Sequence, residues 1–366
     1  MSQKSRLARK SALAQARNQA SRKHKSIIIA VALLLLLGLS GALLARRTAS
    51  RNISFANMLS PAPLPTPSPA LAKEYIYAGS KLIATEEPGA AAPTGTDLAV
   101  WRKSNGTWYV MHGTTTAYST QQWGMDGDVP AFGDYDGDSK TDFAIFRPST
   151  QNWYILKSAD NVLMSQVWGA SGDKTAQADY DGDGRTDIAT FRPSNLTWYI
   201  SNSSNGSMTS MVFGASGDEP VSSDYDGDGR ADMAVWRSST SSFHIWQSMS
   251  NSLRNESWGV STDLAVPGDY DGDGKTDVAT WRLSDNTWYI QNSSTGTTSG
   301  QAWGNRATDI AVPGDYDADG KTDIAVWRGS GADAGTWYIL KSSNGQTRAE
   351  VWGQAGDIPV PAPYRR

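Results

Sequence analysis

The sequence predicts an all-β chain, a β-propeller of four-stranded blades preceded by an N-terminal transmembrane helix. Three observations lead there. An Asp that opens a strand recurs at Asp97, Asp142, Asp187, Asp232, Asp277 and Asp323, at intervals of 45 residues and finally 46. Each period holds four short segments with the alternation and β-branched or aromatic content of strands. A nine-residue Asp-rich loop, Asp179-Tyr180-Asp181-Gly182-Asp183-Gly184-Arg185-Thr186-Asp187, returns in near-copies that begin at Asp134, Asp224, Asp269 and Asp315. Four strands in about 45 residues is the size of a propeller blade, whereas a linear solenoid has shorter coils.

The order within a unit is constant. A strand ends in Arg (Arg102, Arg147, Arg192, Arg237, Arg282, Arg328). The next carries an aromatic pair, as in Trp108-Tyr109 or Trp337-Tyr338, with Phe243-His244 as the deviant copy. A third runs into an aromatic-Gly pair at Trp123, Trp168, Phe213, Trp258, Trp303 and Trp352, and a short segment leads into the next Asp loop. The aromatics are expected to fill the wedge between blades, since each can bury ~150–250 Å². The recurring Arg is expected to bridge to a neighbouring blade or to its Asp loop.

The ring is expected to close with both chain ends in one blade. The first unit begins at its second strand, and Val360-Pro361-Ala362-Pro363-Tyr364 aligns with Val312-Pro313-Gly314-Asp315-Tyr316. The C-terminal segment would then supply the strand missing beside Asp97, leaving no exposed edge. Pro363 stands where a loop Asp would be, so six blades carry five loops. A seventh blade would require Glu74–Glu87 as a partial blade.

Each loop sets carboxylates at positions 1, 3, 5 and 9 around a glycine turn. Such a set suits a hard divalent cation, because Ca²⁺ takes six to eight oxygens at ~2.3–2.6 Å. The expected ligands are Asp134, Asp136, Asp138 and Asp142; Asp179, Asp181, Asp183 and Asp187; Asp224, Asp226, Asp228 and Asp232; Asp269, Asp271, Asp273 and Asp277; Asp315, Asp317, Asp319 and Asp323. Position 7 (Lys140, Arg185, Arg230, Lys275, Lys321) would add a backbone carbonyl. About five Ca²⁺ sites are expected. These are not EF-hands: position 12 is Ile145, Thr190, Val235, Thr280 or Val326, where an EF-hand places a bidentate Glu, and a strand follows the loop instead of a helix.

Charge is unevenly divided. Residues 1–51 hold eleven Lys and Arg and no acid, while the rest of the chain sets 22 basic residues against 37 acidic ones. Residues 1–25 read as a basic cytoplasmic tail. Residues 26–45 read as a transmembrane signal anchor, because Ile27 to Ala45 is uncharged and long enough to cross a ~30 Å hydrocarbon core. The basic flank keeps the N-terminus in the cytoplasm and sends the C-terminus outward. A cleaved signal peptide is the competing reading, and its apolar core is usually shorter. Both place the bulk of the chain in the periplasm or at the cell surface. Residues 46–73 form a Pro-rich linker with extended character, residues 74–96 a hairpin and linker, and residues 97–366 the propeller. Cysteine is absent and only three His occur, so disulfides, thiolate sites and His-based triads have little to build on.

Gly268-Asp269-Tyr270-Asp271-Gly272-Asp273-Gly274-Lys275-Thr276-Asp277-Val278-Ala279 resembles the FG-GAP/VCBS repeat, related to blades of the integrin α-subunit N-terminal propeller. The resemblance covers residues 97–366 and implies Ca²⁺ in the blade hairpins, on positions 1, 3, 5 and 9 of the five loops. The FG and GAP signatures are replaced by Trp-Gly and by Arg-Pro or Arg-Ser, and Ser139 stands where the other loops have Gly. Functions in the family range over adhesion, lectin activity and accessory domains of secreted enzymes, and fold alone does not choose among them. The expectation is a monomeric, non-catalytic binding or adhesion module for a glycan or an extracellular protein, with no nucleic-acid role. The alternatives are a glycan-active hydrolase or lyase and a purely structural spacer.

Overall fold

The computed structural model describes residues 74–78, 81–86, 95–113 and 117–362. The expected basic tail, transmembrane helix and Pro-rich linker lie outside them, as do Pro363 and Tyr364. The chain divides into two units, residues 1–88 and 89–366. In the first, Glu74–Ala78 pairs antiparallel with Lys81–Glu86 as its own two-stranded sheet, with a register shift between Ile76 and Tyr77. It contributes no seventh blade.

The second unit is a six-bladed propeller of four-stranded antiparallel sheets. Blade 1 takes Ile358–Pro359 from the C-terminus and Leu98–Arg102, Thr107–Met111 and Tyr118–Gln122 from the beginning of the repeats. Blade 2 is Val129–Pro130, Phe143–Arg147, Asn152–Leu156 and Leu163–Val167. Blade 3 is Lys174–Thr175, Ile188–Arg192, Thr197–Ser201 and Met208–Val212. Blade 4 is Glu219–Pro220, Met233–Arg237, Ser242–Gln247 and Ser252–Ser257. Blade 5 is Leu264–Ala265, Val278–Trp281, Thr287–Gln291 and Thr298–Ala302. Blade 6 is Asp309–Ala311, Ile324–Arg328, Thr336–Leu340 and Thr347–Val351.

Burial explains the strand patterns. The second strand of each blade lies between two blade faces, so it is apolar on both sides, as in Leu98-Ala99-Val100-Trp101, all fully buried. The fourth strand borders solvent and alternates, as in Leu163–Val167 and Thr347–Val351. One apolar cluster forms at each blade interface. In blade 1 against blade 2, Trp101, Trp108 and Val110 meet Ile145; in blade 6 against blade 1, Trp327, Trp337 and Ile339 meet Leu98 and Val100. This second cluster closes the ring.

The tryptophans do more than fill volume. Trp108, Trp153, Trp198, Trp288 and Trp337 are fully buried, and each indole N–H donates to the carbonyl of the residue just past the last strand of its own blade. The Trp of the aromatic-Gly pair reaches across the interface instead. Trp123, Trp168, Trp258, Trp303 and Trp352 donate to the carbonyls of Tyr154, Tyr199, Tyr289, Tyr338 and Tyr109, all at 3.1 Å. A buried indole N–H requires a partner, and here the partner is the neighbouring blade. Phe213 lacks that donor at the interface of blades 3 and 4.

The expected role of the recurring Arg is corrected. Each stays inside its own blade, pairing with the Asp just ahead of the first strand, or opening it in blade 6: Arg147 with Asp128, Arg192 with Asp173, Arg237 with Asp218, Arg282 with Asp263 and Arg328 with Asp309. These carboxylates are nearly inaccessible, and the planar guanidinium satisfies both of their oxygens at once. In the five blades that carry a Tyr in the aromatic pair the guanidinium also lies over its ring, 4.4 Å from the ring centre for Arg192 and Tyr199. In blade 1 the partner is Asp357, 255 residues away, at 2.8 and 2.9 Å. The same pair that stabilises every blade therefore fastens the chain ends together.

Candidate metal centres

Each loop leaves the sheet through a pinched neck. The residue before position 1 bridges to position 9, as in Ala178 with Asp187 and Gly268 with Asp277. The Tyr at position 2 anchors the loop below: Tyr135, Tyr180, Tyr225, Tyr270 and Tyr316 donate their hydroxyls to the carbonyls of Ala131, Ala176, Val221, Val266 and Val312. Burial pushes the phenol of each well up, so these residues act as fixed donors.

The four carboxylates then have separate settings. In the loop starting at Asp179, position 1 accepts the backbone N–H of Gly182 and Gly184 at 2.6 and 2.9 Å. Position 9, Asp187, is fully buried and accepts from Tyr180 N–H and Ser203 N–H. Position 3, Asp181, accepts the Ser204 hydroxyl on Oδ2 while its Oδ1 is buried with no partner. Position 5, Asp183, accepts the Ser203 hydroxyl at 2.9 Å. The other loops repeat the pattern with small changes.

Three carboxylates converge in every loop, with one oxygen from each lying within 4.8 Å of the others. They are Asp134, Asp136 and Asp142; Asp179, Asp181 and Asp187; Asp224, Asp226 and Asp232; Asp269, Asp271 and Asp273; and Asp315, Asp317 and Asp323. Positions 1, 3 and 9 thus meet in four loops, and positions 1, 3 and 5 in the loop starting at Asp269. The position-5 carboxylates Asp138, Asp183, Asp273 and Asp319 are held by the hydroxyls of Ser158, Ser203, Ser293 and Ser342. The sequence reading passed over these serines, although they recur just past the aromatic-pair strand of successive blades.

The groups can hold a metal ion, and their chemistry fits a hard one. Every donor is oxygen, and Asp181 Oδ1 and Asp317 Oδ1 are buried without a hydrogen-bond partner. Burial of the position-9 carboxylates also disfavours their charged form. Burial pushes the Asp142 carboxyl up to about 6, and raises those of Asp187, Asp232, Asp277 and Asp323, against the pull of the backbone N–H groups they accept.

Neighbouring loops are joined. The N–H of position 8 donates to the position-1 carbonyl of the preceding loop, as Thr186 to Asp134, Ala231 to Asp179, Thr276 to Asp224 and Thr322 to Asp269. Thr96 donates to Asp315 at 2.6 Å, so blade 1 takes part although no Asp loop lies ahead of Asp97 among the described residues. The position-7 side chain lies along the glycine at position 4 of the preceding loop. A Cβ on Gly182 would sit 2.9 Å from Arg230 Cγ, and one on Gly137 equally close to Arg185 Cγ. This accounts for Ala318, the one alanine at position 4. The residue facing that loop is Gly95, which has no side chain to collide with it. Position 6 faces open space at Gly184, Gly274 and Gly320, so Ser139 meets no clash and bears only a left-handed φ of 66°.

A family model described as an FG-GAP-like repeat matches residues 179–235 and 269–326, each match running from one Asp loop through the next and into the strand that follows. The chain is an FG-GAP repeat β-propeller. No curated protein matches the sequence significantly. Among solved structures, the FG-GAP propeller is similar to TolB from Acinetobacter baumannii, at 15% identity and a TM-score of 0.55, covering 74% of this chain and 66% of TolB. It is also similar to an Agrocybe aegerita lectin described as recognising non-reducing terminal N-acetylglucosamine (13% identity, TM-score 0.47, 71% and 77% covered). A third is virginiamycin B lyase from Staphylococcus aureus (8% identity, TM-score 0.42, 74% and 88% covered). At these identities the TolB likeness speaks for the fold alone, and the other two carry no argument.

Proposed function

We propose that the protein is a calcium-braced, non-catalytic binding module, displayed outside the cytoplasm on an N-terminal membrane anchor, whose ligand is a glycan or an extracellular protein. The observation that carries the calcium reading is the convergence of three carboxylates in each of five loops, two of them with a buried carboxylate oxygen lacking any partner. The Asp residues at positions 1, 3 and 9, or 1, 3 and 5 in the loop starting at Asp269, would hold the ion, with the fourth carboxylate and the backbone carbonyls of Lys140, Arg185, Arg230, Lys275 and Lys321 as further oxygen donors. Bound there, calcium would supply charge neutralisation. Because the loops are hydrogen-bonded in series, that neutralisation would brace the whole ring.

The anchor rests on the uncharged run from Ile27 to Ala45 behind eight basic residues. The non-catalytic reading is supported by the six most buried acids ahead of the blades, Asp128, Asp173, Asp218, Asp263, Asp309 and Asp357, each of which is paired with an arginine.

Thermal melting of the purified chain in calcium and in excess EDTA tests the reading. A site that is filled at a hundredfold excess over its Kd adds ~2.7 kcal/mol. Chelation should therefore lower the melting temperature by many degrees, with recovery on calcium but not potassium. An unchanged melt would refute the bracing role.

A further inference from the structure

The same groove opens at three consecutive interfaces, between blades 1 and 2, 2 and 3, and 3 and 4, and equivalent residues line it each time. One wall position differs in kind. It is Leu156 in the first groove, Ser201 in the second and Trp246 in the third. The remaining blades carry Met111, Gln291 and Leu340 at this position, so Trp246 is the one aromatic in the series.

We infer that the groove between blades 3 and 4 is a carbohydrate site that takes one neutral sugar ring stacked on Trp246. The inference rests on the binding-module reading above and narrows its ligand to a glycan. The indole is half-buried, and it is held in place from two sides. Its N–H donates to Asn251 Oδ1 at 3.0 Å, and its ring meets the edge of Phe213 at 6.2 Å. Phe213 is itself the departure from Trp in the aromatic-Gly series, so both unusual residues of the ring meet at this one place.

The polar lining surrounds that flat apolar wall. Asp181, Asn202 and Thr209 come from blade 3, and Arg230, Ser248 and Asn251 from blade 4, so one acid and one base offset each other and the lining carries no net charge. Ser248 departs from its counterparts Ser158, Ser203, Ser293 and Ser342, whose hydroxyls are spent on position-5 carboxylates: its hydroxyl lies buried beside the position-9 carboxylate of Asp232. A sugar presents a C–H face to the ring and hydroxyls at its edge, and this lining offers amide and hydroxyl groups that both donate and accept. The cavity is about 260 Å³, below the ~300–1,000 Å³ of drug-sized sites, which suits a single ring entering from an open groove.

The test uses the full chain in calcium, with a glycan array followed by saturation-transfer NMR against methyl glycosides of glucose, galactose, mannose and N-acetylglucosamine. Wild type should bind at least one neutral glycan. Trp246→Leu restores the residue that two sister blades carry and should keep the melting temperature while weakening binding about tenfold or more. Trp246→Phe should retain most of the affinity. Binding by Trp246→Leu equal to wild type would overturn the site yet leave the binding-module reading standing. A folded, calcium-responsive wild type that binds no glycan would overturn the carbohydrate assignment and leave only a protein ligand for the module.

Discussion

Replacing Asp357 by Ala isolates what ring closure is worth. Asp357 is 1% exposed and Arg102 21%, and the substitution removes both guanidinium bonds and the acceptor of the Gln354 N–H at 3.0 Å. Breaking a buried pair by removing one partner costs ~3–5 kcal/mol. Arg102 retains some solvent and its place 4.3 Å over the Tyr109 ring, which lowers the expected cost to roughly 2–4 kcal/mol. For a domain of this size that is roughly 5–15 °C of melting temperature.

Asp173→Ala is the control. It breaks the same pair, with the carboxylate equally buried and Arg192 25% exposed, but inside a blade built from contiguous chain. Asp357→Ala should melt lower than this control. It should also speed amide exchange of Val360, whose N–H bonds to Ala99 at 2.8 Å, because this segment is otherwise held by a two-residue strand pairing, the Asp97 N–H to Ala362 bond and the packing of Val360 and Ala362. Equal melts and equal exchange in the two variants would refute the claim that this pair locks the ring.

Two further predictions concern the loops. In EDTA, folded Asp142 holds its proton up to about pH 6, above the ordinary 3.8, so the folded state binds more protons than the unfolded one across that window. Cation-free stability should therefore fall as pH rises from 4 through 6, by about 3 kcal/mol from Asp142 alone. The calcium-loaded chain should show the opposite slope, because protons then compete with the cation. Parallel pH profiles with and without calcium would contradict this. The second prediction is that Gly182→Ala costs ~1–2 kcal/mol through its left-handed φ of 77° and the Arg230 stem, while Ala318→Gly gains ~0.5–1 kcal/mol by releasing a φ of 62°. Denaturant unfolding of both variants in calcium measures the difference, and a neutral Gly182→Ala would remove the proposed loop-to-loop packing.

The period, the six blades and the shared first blade were legible because each rests on local, repeated signals: the Asp spacing, the strand alternation and the matching ends at Val360 and Val312. The arginine partners were not. Asp128, Asp173, Asp218 and Asp357 follow Gly and read as turn residues, while Asp263 and Asp309 follow Thr, so their common role appears only once the guanidinium is seen against all six. The serine clips on position 5 were hidden for a similar reason, since Ser203 and Asp183 lie 20 residues apart on different hairpins. Trp246 lies just past the deviant Phe243-His244 pair, but only the fold sets it beside Phe213, Ser248 and Asn251.

Metal content tests the central claim most directly. The purified chain, equilibrated with calcium and washed through a desalting column in chelator-free buffer, is assayed by elemental analysis beside a variant with Asp187 and Asp323 both changed to Ala. Bound calcium at several ions per wild-type chain, reduced in the variant, is the expected result. A wild-type chain that emerges free of calcium while still folded would contradict it.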